Sequence, residues 1–467
     1  MLAAIWKGES MSTSGMMVGI LFVYMIMTGF IGLRGRKYVK TFKDSITAGG
    51  QSSLLLLTGS AVGMQIGSGF VIGGAEYGAL YGLGGAWYGL GCGLSFIAAG
   101  MIVTKFIYRH GYVSLSDYFK ERYGGYSSRL IYSTVTPLSC IALFAGQLLA
   151  GKAVFYSAGL NGNMGVIITA AASFCYAAVS GYWGALVASF LQSSVIFVGM
   201  MAALFLMVSG NGVSFLQSGL PESCFSMFPY DGETFVMNTV PTIAAVFVSQ
   251  GLFQRCASAK SESAAVYGNL FGGILLLPVA FVPVLLGMYG RCLYPGKNGD
   301  EVFMLLILEK LPPLAGAILL AAIICAVMSA CNSIFAGVST NIVHDIYRGM
   351  IKPDADEKEC RQLMFIVNAL VCIFSVVLAL SMNNIIELLA LSYTFISAGC
   401  LPAFVGGVFW KKGNSRGAIA SAVLGIGFVL LDGLGIADLP YGSVFPLLPS
   451  AIGYVVVSLM TQNKKQG

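Results

Sequence analysis

Charge is what this sequence has least of. Asp, Glu, Lys and Arg make up only 10% of its 467 residues, where a soluble globular chain carries about 25%. That shortage, with 57% hydrophobic residues and a mean hydropathy of +0.82, excludes a soluble enzyme. Histidine is nearly absent: His110 and His344 are the two present, so a histidine-rich metal centre is unavailable. The 11 cysteines form no C-x-x-C pair and no metal-ligand spacing. Most lie in apolar runs, where cysteine acts as a small hydrophobe. Long polar stretches are also missing. The longest, near 210–235, 291–312 and 344–362, leave no room for a soluble catalytic module, so function must lie in the membrane.

What is abundant is apolar length and glycine. Thirteen segments reach the roughly 20 apolar residues that cross a bilayer: about 14–33, 51–76, 80–104, 130–158, 163–181, 183–209, 236–256, 264–290, 313–343, 363–383, 385–410, 417–435 and 443–461. Of the 26 lysines and arginines, all but Lys7, Lys152, Arg291, Lys297 and Lys310 then fall on one side. By the positive-inside rule that side is cytoplasmic. This predicts a multi-pass protein of the inner (plasma) membrane, N-terminus outside and C-terminus inside, with a net charge of +6 that is a topology signal and not a nucleic-acid footprint. Lipid is one expected partner and nucleic acid is not.

Two spans carry chemistry. The second holds Gly59, Gly63, Gly67, Gly69, Gly73, Gly74 and Gly78, with Gln65, Ser68 and Glu76 among them. Broken backbone at bilayer depth is tolerated where it lines a cavity, and its freed carbonyls can hold a cation. A glycine face packed against a neighbouring helix is the alternative. In the ninth span, Ser329, Asn332 and Ser333 share one helical face. Three oxygen-bearing side chains on one stripe suit Na⁺ or a polar solute, although a single serine usually bonds back to its own helix.

Five segments in order resemble the sodium:solute symporter family, whose members include sodium/proline, pantothenate, sialic acid and sugar symporters. They are FKDSITAGG (Phe42 to Gly50), SLSDYFKERYG (Ser114 to Gly124), SGYWGALVASFLQ (Ser180 to Gln192), QRCASAKS (Gln254 to Ser261), and Ala326 to Tyr347, which ends His344-Asp345-Ile346-Tyr347. The resemblance implies an all-α membrane protein of about 13 transmembrane helices with the leucine-transporter-like fold. An extra helix over 14–33 would precede a first five-helix repeat over 51–209. An inverted second repeat would cover 236–410 and two peripheral helices 417–461, all within one transporter domain over 1–467. It implies a non-enzymatic carrier, functional as a monomer, that couples uptake of a small organic solute to the Na⁺ gradient by alternating access.

Carried over residue by residue, the main Na⁺ site takes the carbonyls of Gly63, Ile66 and Ala326 and the hydroxyl of Ser329. Gln65, Ser189, Asn332 and Ser333 are further candidate cation ligands. Three positions depart from the family pattern, one of them Gln65, which sits where proline-transporting members carry an aspartate. The second hydroxyl of the ninth span falls on Ala330, and an aspartate found in members binding two ions is replaced by Ser189. Fewer oxygen ligands should bind Na⁺ more weakly, so proton coupling or uncoupled transport by the same fold stays as the alternative, with a transporter-like sensor or a channel behind it. The solute site is expected at the bilayer midplane, walled by Gln65, Ser68, Gly69, Phe70, Tyr88, Thr242, Ser249, Gln250 and Tyr393; Phe70 and Tyr88 could equally be packing aromatics. Arg255 is a candidate for an ion pair with Asp117. Glu76, Glu387 and Lys152 read as interfacial or snorkelling charges, and Cys224 and Cys292 as a disulfide candidate on the outer side.

Overall fold

The computed structural model describes residues 41–462 except 298, 383–384, 434 and 438, together with a few positions between 15 and 27. The expected helix over 14–33 therefore lies largely outside the described residues, as does the side chain of Glu387. The described chain is almost wholly helical because apolar surroundings leave the backbone no hydrogen-bond partner but itself.

The principal helices are α1 (Leu54–Gln65), α2 (Gly74–Tyr81), α3 (Trp87–Ile102), α4 (Leu115–Tyr123), α5 (Tyr126–Ser157) and α6 (Gly162–Gly219). They continue with α7 (Gly232–Val248), α8 (Gln250–Ser258), α9 (Glu262–Val279), α10 (Phe281–Leu293), α11 (Pro313–Ser339), α12 (Glu357–Ser381), α13 (Ile385–Phe409), α14 (Ser415–Gly433) and α15 (Leu447–Met460). Among the described residues, 9 helical stretches are long and apolar enough to span a membrane, and one bent pair raises this to 10. Leu54–Gln65 and Gly162–Ala177 are shorter apolar helices. Each expected segment from 51–76 onward coincides with one or more of these stretches; the count differs because the first segment lies largely outside the described residues, the second is broken and its far half runs on into the third, and the fifth is short.

Burial sorts the helices. The apolar window of Pro313–Ile351 is 83% buried and that of Tyr126–Ser157 is 72% buried, whereas that of Glu357–Ser381 is only 22% buried. A helix that is apolar all round and buried is central, so α11 and α5 form the middle of the bundle and α12 faces lipid. α14 and α15 pack on each other and on α13 at the periphery.

One end of the bundle gathers the basic segments and is closed by a buried polar chain. Ser114 caps α4 through a capping box with Asp117, in which the side chains at each end satisfy the other's amide. Asp117 also accepts from Val113 N at 3.1 Å. Arg129 lies 3.7 Å from Asp117 and 3.9 Å from the fully buried Asp345. Asp345 takes further bonds from Ser114 Oγ at 2.9 Å and Asn341 Nδ2 at 3.1 Å, and His344 Nδ1 lies 2.9 Å from it. Removing one partner from a buried ion pair costs about 3–5 kcal/mol. Asp345→Ala should therefore lower the thermal unfolding temperature in detergent well below wild type; an unchanged value would show that this cluster does not hold the end together.

Candidate functional site: a cavity between two broken helices

The first break lies between α1 and the turn of π-helix at Gly69–Gly73. In an uninterrupted helix the amides of Gly67 and Ser68 would return to the carbonyls of Gly63 and Met64. Here Gly67 N donates to Gln65 O at 2.8 Å, closing an inverse γ-turn at Ile66 (φ −75°, ψ 72°). Ser68 N donates instead to the side chain of Gln147 on α5, at 3.0 Å. The helical partners of Gly63 O and Met64 O have thus turned elsewhere.

The second break separates α7 from α8, with a bend of 41°. Ser249 makes it. Its amide donates to Val246 O at 3.2 Å, and its hydroxyl accepts from Leu252 N at 3.3 Å, capping α8. An N-cap serine satisfies one of the amides a helix start leaves open.

Between the breaks lies a cavity of about 140 Å³. Of the expected solute residues, Gln65, Gly69, Tyr88, Thr242, Ser249, Gln250 and Tyr393 line it. Ser68 and Phe70 do not. Ser68 is fully buried with an unpartnered hydroxyl, and Phe70 is 2% exposed, its ring against Gly89, which makes it a packing aromatic. Tyr88 and Tyr393 hydroxyls meet at 3.2 Å. Gln250 Nε2 donates to Val113 O at 2.9 Å, which ties the cavity wall to the Asp117–Arg129–Asp345 chain. Its Oε1 is buried without a partner. Tyr88→Phe and Tyr393→Phe should each weaken solute affinity without changing the Na⁺ midpoint, and half-saturation uptake curves would show it.

The cation candidates gather beside this cavity. Gly63 is pressed against the Ser189 backbone: a Cβ there would fall 2.1 Å from Ser189 O. Ser189 Oγ and Ser329 Oγ are 2.5 Å apart. Proton counting orients that pair. A serine hydroxyl has one proton, and Ser189 gives its proton to Ala185 O at 2.7 Å. Ser329 must therefore be the donor, which leaves its oxygen lone pairs free. Ile66 and Ala326 are buried at the break and on α11 respectively. Ser333 and Ala330 line the cavity, so at the position where the resemblance implies a second hydroxyl this chain presents a methyl. Asn332 is buried, 2% exposed, outside that wall.

Two expectations change. Arg255 does not pair with Asp117, which is engaged by Arg129. Instead Arg255 Nε donates to Asn269 Oδ1 at 3.2 Å and its guanidinium lies 4.6 Å from the Phe96 ring centre, a cation–π contact. Asp117 is drawn away because the capping box fixes it at the start of α4. Cys224 and Cys292 carry free thiols, and Arg291 Nη1 stands 3.7 Å from Cys224 Sγ. Glu76 and Lys152 border a vestibule at the end opposite the basic segments.

The sequence reading missed Gln147, Thr136, Ser139 and Ser392, which also line the cavity. Ser139 and Ser392 hydroxyls bond at 2.9 Å. For Gln147 a signal existed: an amide in a long apolar helix needs partners.

Two interrupted helices facing a central cavity within a helical bundle are the arrangement expected of a secondary transporter. The sodium:solute symporter family model matches residues 45–425, and the chain belongs to that family. It is 24% identical to high-affinity choline transporter 1 of Caenorhabditis elegans over 94% of this chain and 81% of that one. It is likewise 24% identical to sodium/glucose cotransporter 4 of Danio rerio, over 88% and 70%. A substrate-bound, outward-open Na⁺-coupled sialic acid symporter superposes with a TM-score of 0.81 at 17% identity, covering 96% of this chain and 98% of that one. The structure of MhsT in complex with L-phenylalanine superposes at 0.56 and 13% identity, over 88% and 98%. The fold is leucine-transporter-like with two inverted repeats, and the activity is Na⁺-coupled transport of a small solute, not catalysis.

Proposed function

We propose that this chain takes up a small organic solute, such as an amino acid or organic acid, together with Na⁺ by alternating access through the central cavity. The observation that carries this reading is the redirected Gly67 amide, which frees Gly63 O beside the Ser189–Ser329 pair. In this reading Na⁺ is held by the carbonyls of Gly63, Ile66 and Ala326 and the Ser329 hydroxyl, with Gln65, Ser189, Asn332 and Ser333 as further oxygens in reach of α1 and α11. Gln65, Gly69, Tyr88, Thr242, Ser249, Gln250 and Tyr393 contact the solute. The repeats run over 51–209 and 236–410, and the basic end of the bundle is cytoplasmic in the plasma membrane of a protein that works as a monomer.

Proton coupling has less support, since the cavity wall carries no carboxylate or histidine among the described residues. Vesicles reconstituted with the purified chain should accumulate a labelled member of a metabolite panel when Na⁺ is outside. Replacing Na⁺ by K⁺ should abolish accumulation. Uptake indifferent to that replacement but driven by a pH gradient would refute the coupling assigned here.

A further inference from the structure

We infer that Gln147 is a positioning residue of the cation site: its side-chain amide stands in for the backbone acceptor that α1 loses at its break, and so keeps the α1 carbonyls turned out. The inference rests on the Na⁺ site proposed above and deepens it.

Three observations meet at this side chain. Gln147 Oε1 accepts the Ser68 amide proton at 3.0 Å. Its amide also lies flat on the break, for a Cβ built on Gly67 would sit 2.9 Å from Oε1 and 3.1 Å from Nε2. Finally, Gln147 is only 6% exposed and is carried by α5, a central and deeply buried helix.

Physical necessity links them. A buried backbone amide must have an acceptor. If Oε1 were withdrawn, the Ser68 amide would keep a partner only by returning to Met64 O. That would rewind the turn after Gln65 and draw the released carbonyls back into helical bonds. The acceptor therefore decides whether α1 presents oxygen to a cation or seals it away. Gly67 is glycine for the same reason: any side chain there would lift the amide off Ser68.

Gln147 acts through the backbone and needs no contact with the ion. The consequence is a change in Na⁺ affinity that is already present without solute. It is separable from any general loss of stability.

The test is Na⁺-dependent thermal stabilisation of the purified full chain in detergent, without solute, titrated against K⁺ at constant ionic strength. Gln147→Met fills the same volume without an acceptor. It should raise the Na⁺ midpoint about fivefold or more, the effect of losing one net hydrogen bond, with little change in the unfolding temperature in K⁺ alone. Gln147→Glu keeps an acceptor oxygen and should return the midpoint to near wild type. Gly67→Ala, which displaces the amide while leaving Gln147 in place, should raise it as Gln147→Met does, and it carries the test if Gln147→Met fails to fold. An unchanged midpoint in Gln147→Met or Gly67→Ala, or a Gln147→Glu midpoint as poor as that of Gln147→Met, overturns the inference. A wild-type protein with no Na⁺ response would instead overturn the Na⁺ site itself.

Discussion

Gly63→Ala should abolish Na⁺-driven uptake. The new methyl would lie 2.1 Å from Ser189 O, 2.6 Å from the Ser189 carbonyl carbon and 3.0 Å from its Cα. These are backbone atoms of α6, so no side-chain rotation relieves the clash. Overpacking of this kind costs about 1–3 kcal/mol and sometimes more. The strain falls beside the Ser189–Ser329 pair, at the cation site proposed above. Gly427→Ala is the matched control, because a Cβ there meets nothing within 4 Å. Uptake and thermal unfolding measured on both variants decide the matter: wild-type uptake by Gly63→Ala would mean that the α1–α6 contact has no part in transport.

Ser329→Ala should raise the Na⁺ concentration for half-maximal uptake several-fold or more. A lost polar partner at a buried charge is worth about 1–3 kcal/mol, and every 1.4 kcal/mol is a factor of ten. The proton arrangement sharpens the expectation. Ser329 donates to Ser189 across the 2.5 Å contact, so its oxygen can accept an ion without breaking that bond. Ser189→Ala should give a smaller rise, since it removes the group that aims Ser329 but leaves the ligand oxygen. The double variant should then resemble Ser329→Ala alone. A rise that is additive over the two would place them in separate roles, and an unchanged half-saturation in Ser329→Ala would remove this hydroxyl from the site.

Much of the architecture was legible because a membrane imposes length and hydropathy so strictly. The apolar segments from 51 onward reappear as helices, and glycine density marked the break in the second span. The break in the seventh was less visible: Ser249 looks like any polar residue until its hydroxyl is seen capping α8. Gly63 and Ser329 could be named as cation candidates through the family resemblance, carried over position by position, and Gln65 stands out as a polar residue inside a glycine-rich apolar span. Gln147 shows in the sequence only as an amide that needs partners; which partner it takes is set by packing, since Ser68 N lies 79 residues away. The Arg255 expectation failed for a related reason. Spacing placed it near the basic end, but only packing shows Asn269 and Phe96 filling its reach and Arg129 taking Asp117.

The Ser189–Ser329 contact also has an electrical consequence. Where a carboxylate would neutralise a bound ion, this chain offers neutral oxygens among the described residues of the site. An ion held there keeps its full positive charge as the carrier reorients. Moving one such charge through the membrane field is worth about 2.3 kcal/mol per 100 mV. The loaded step would therefore be the one that feels the membrane potential, and a cell with an interior-negative voltage would drive it inward even when the two sides hold equal Na⁺.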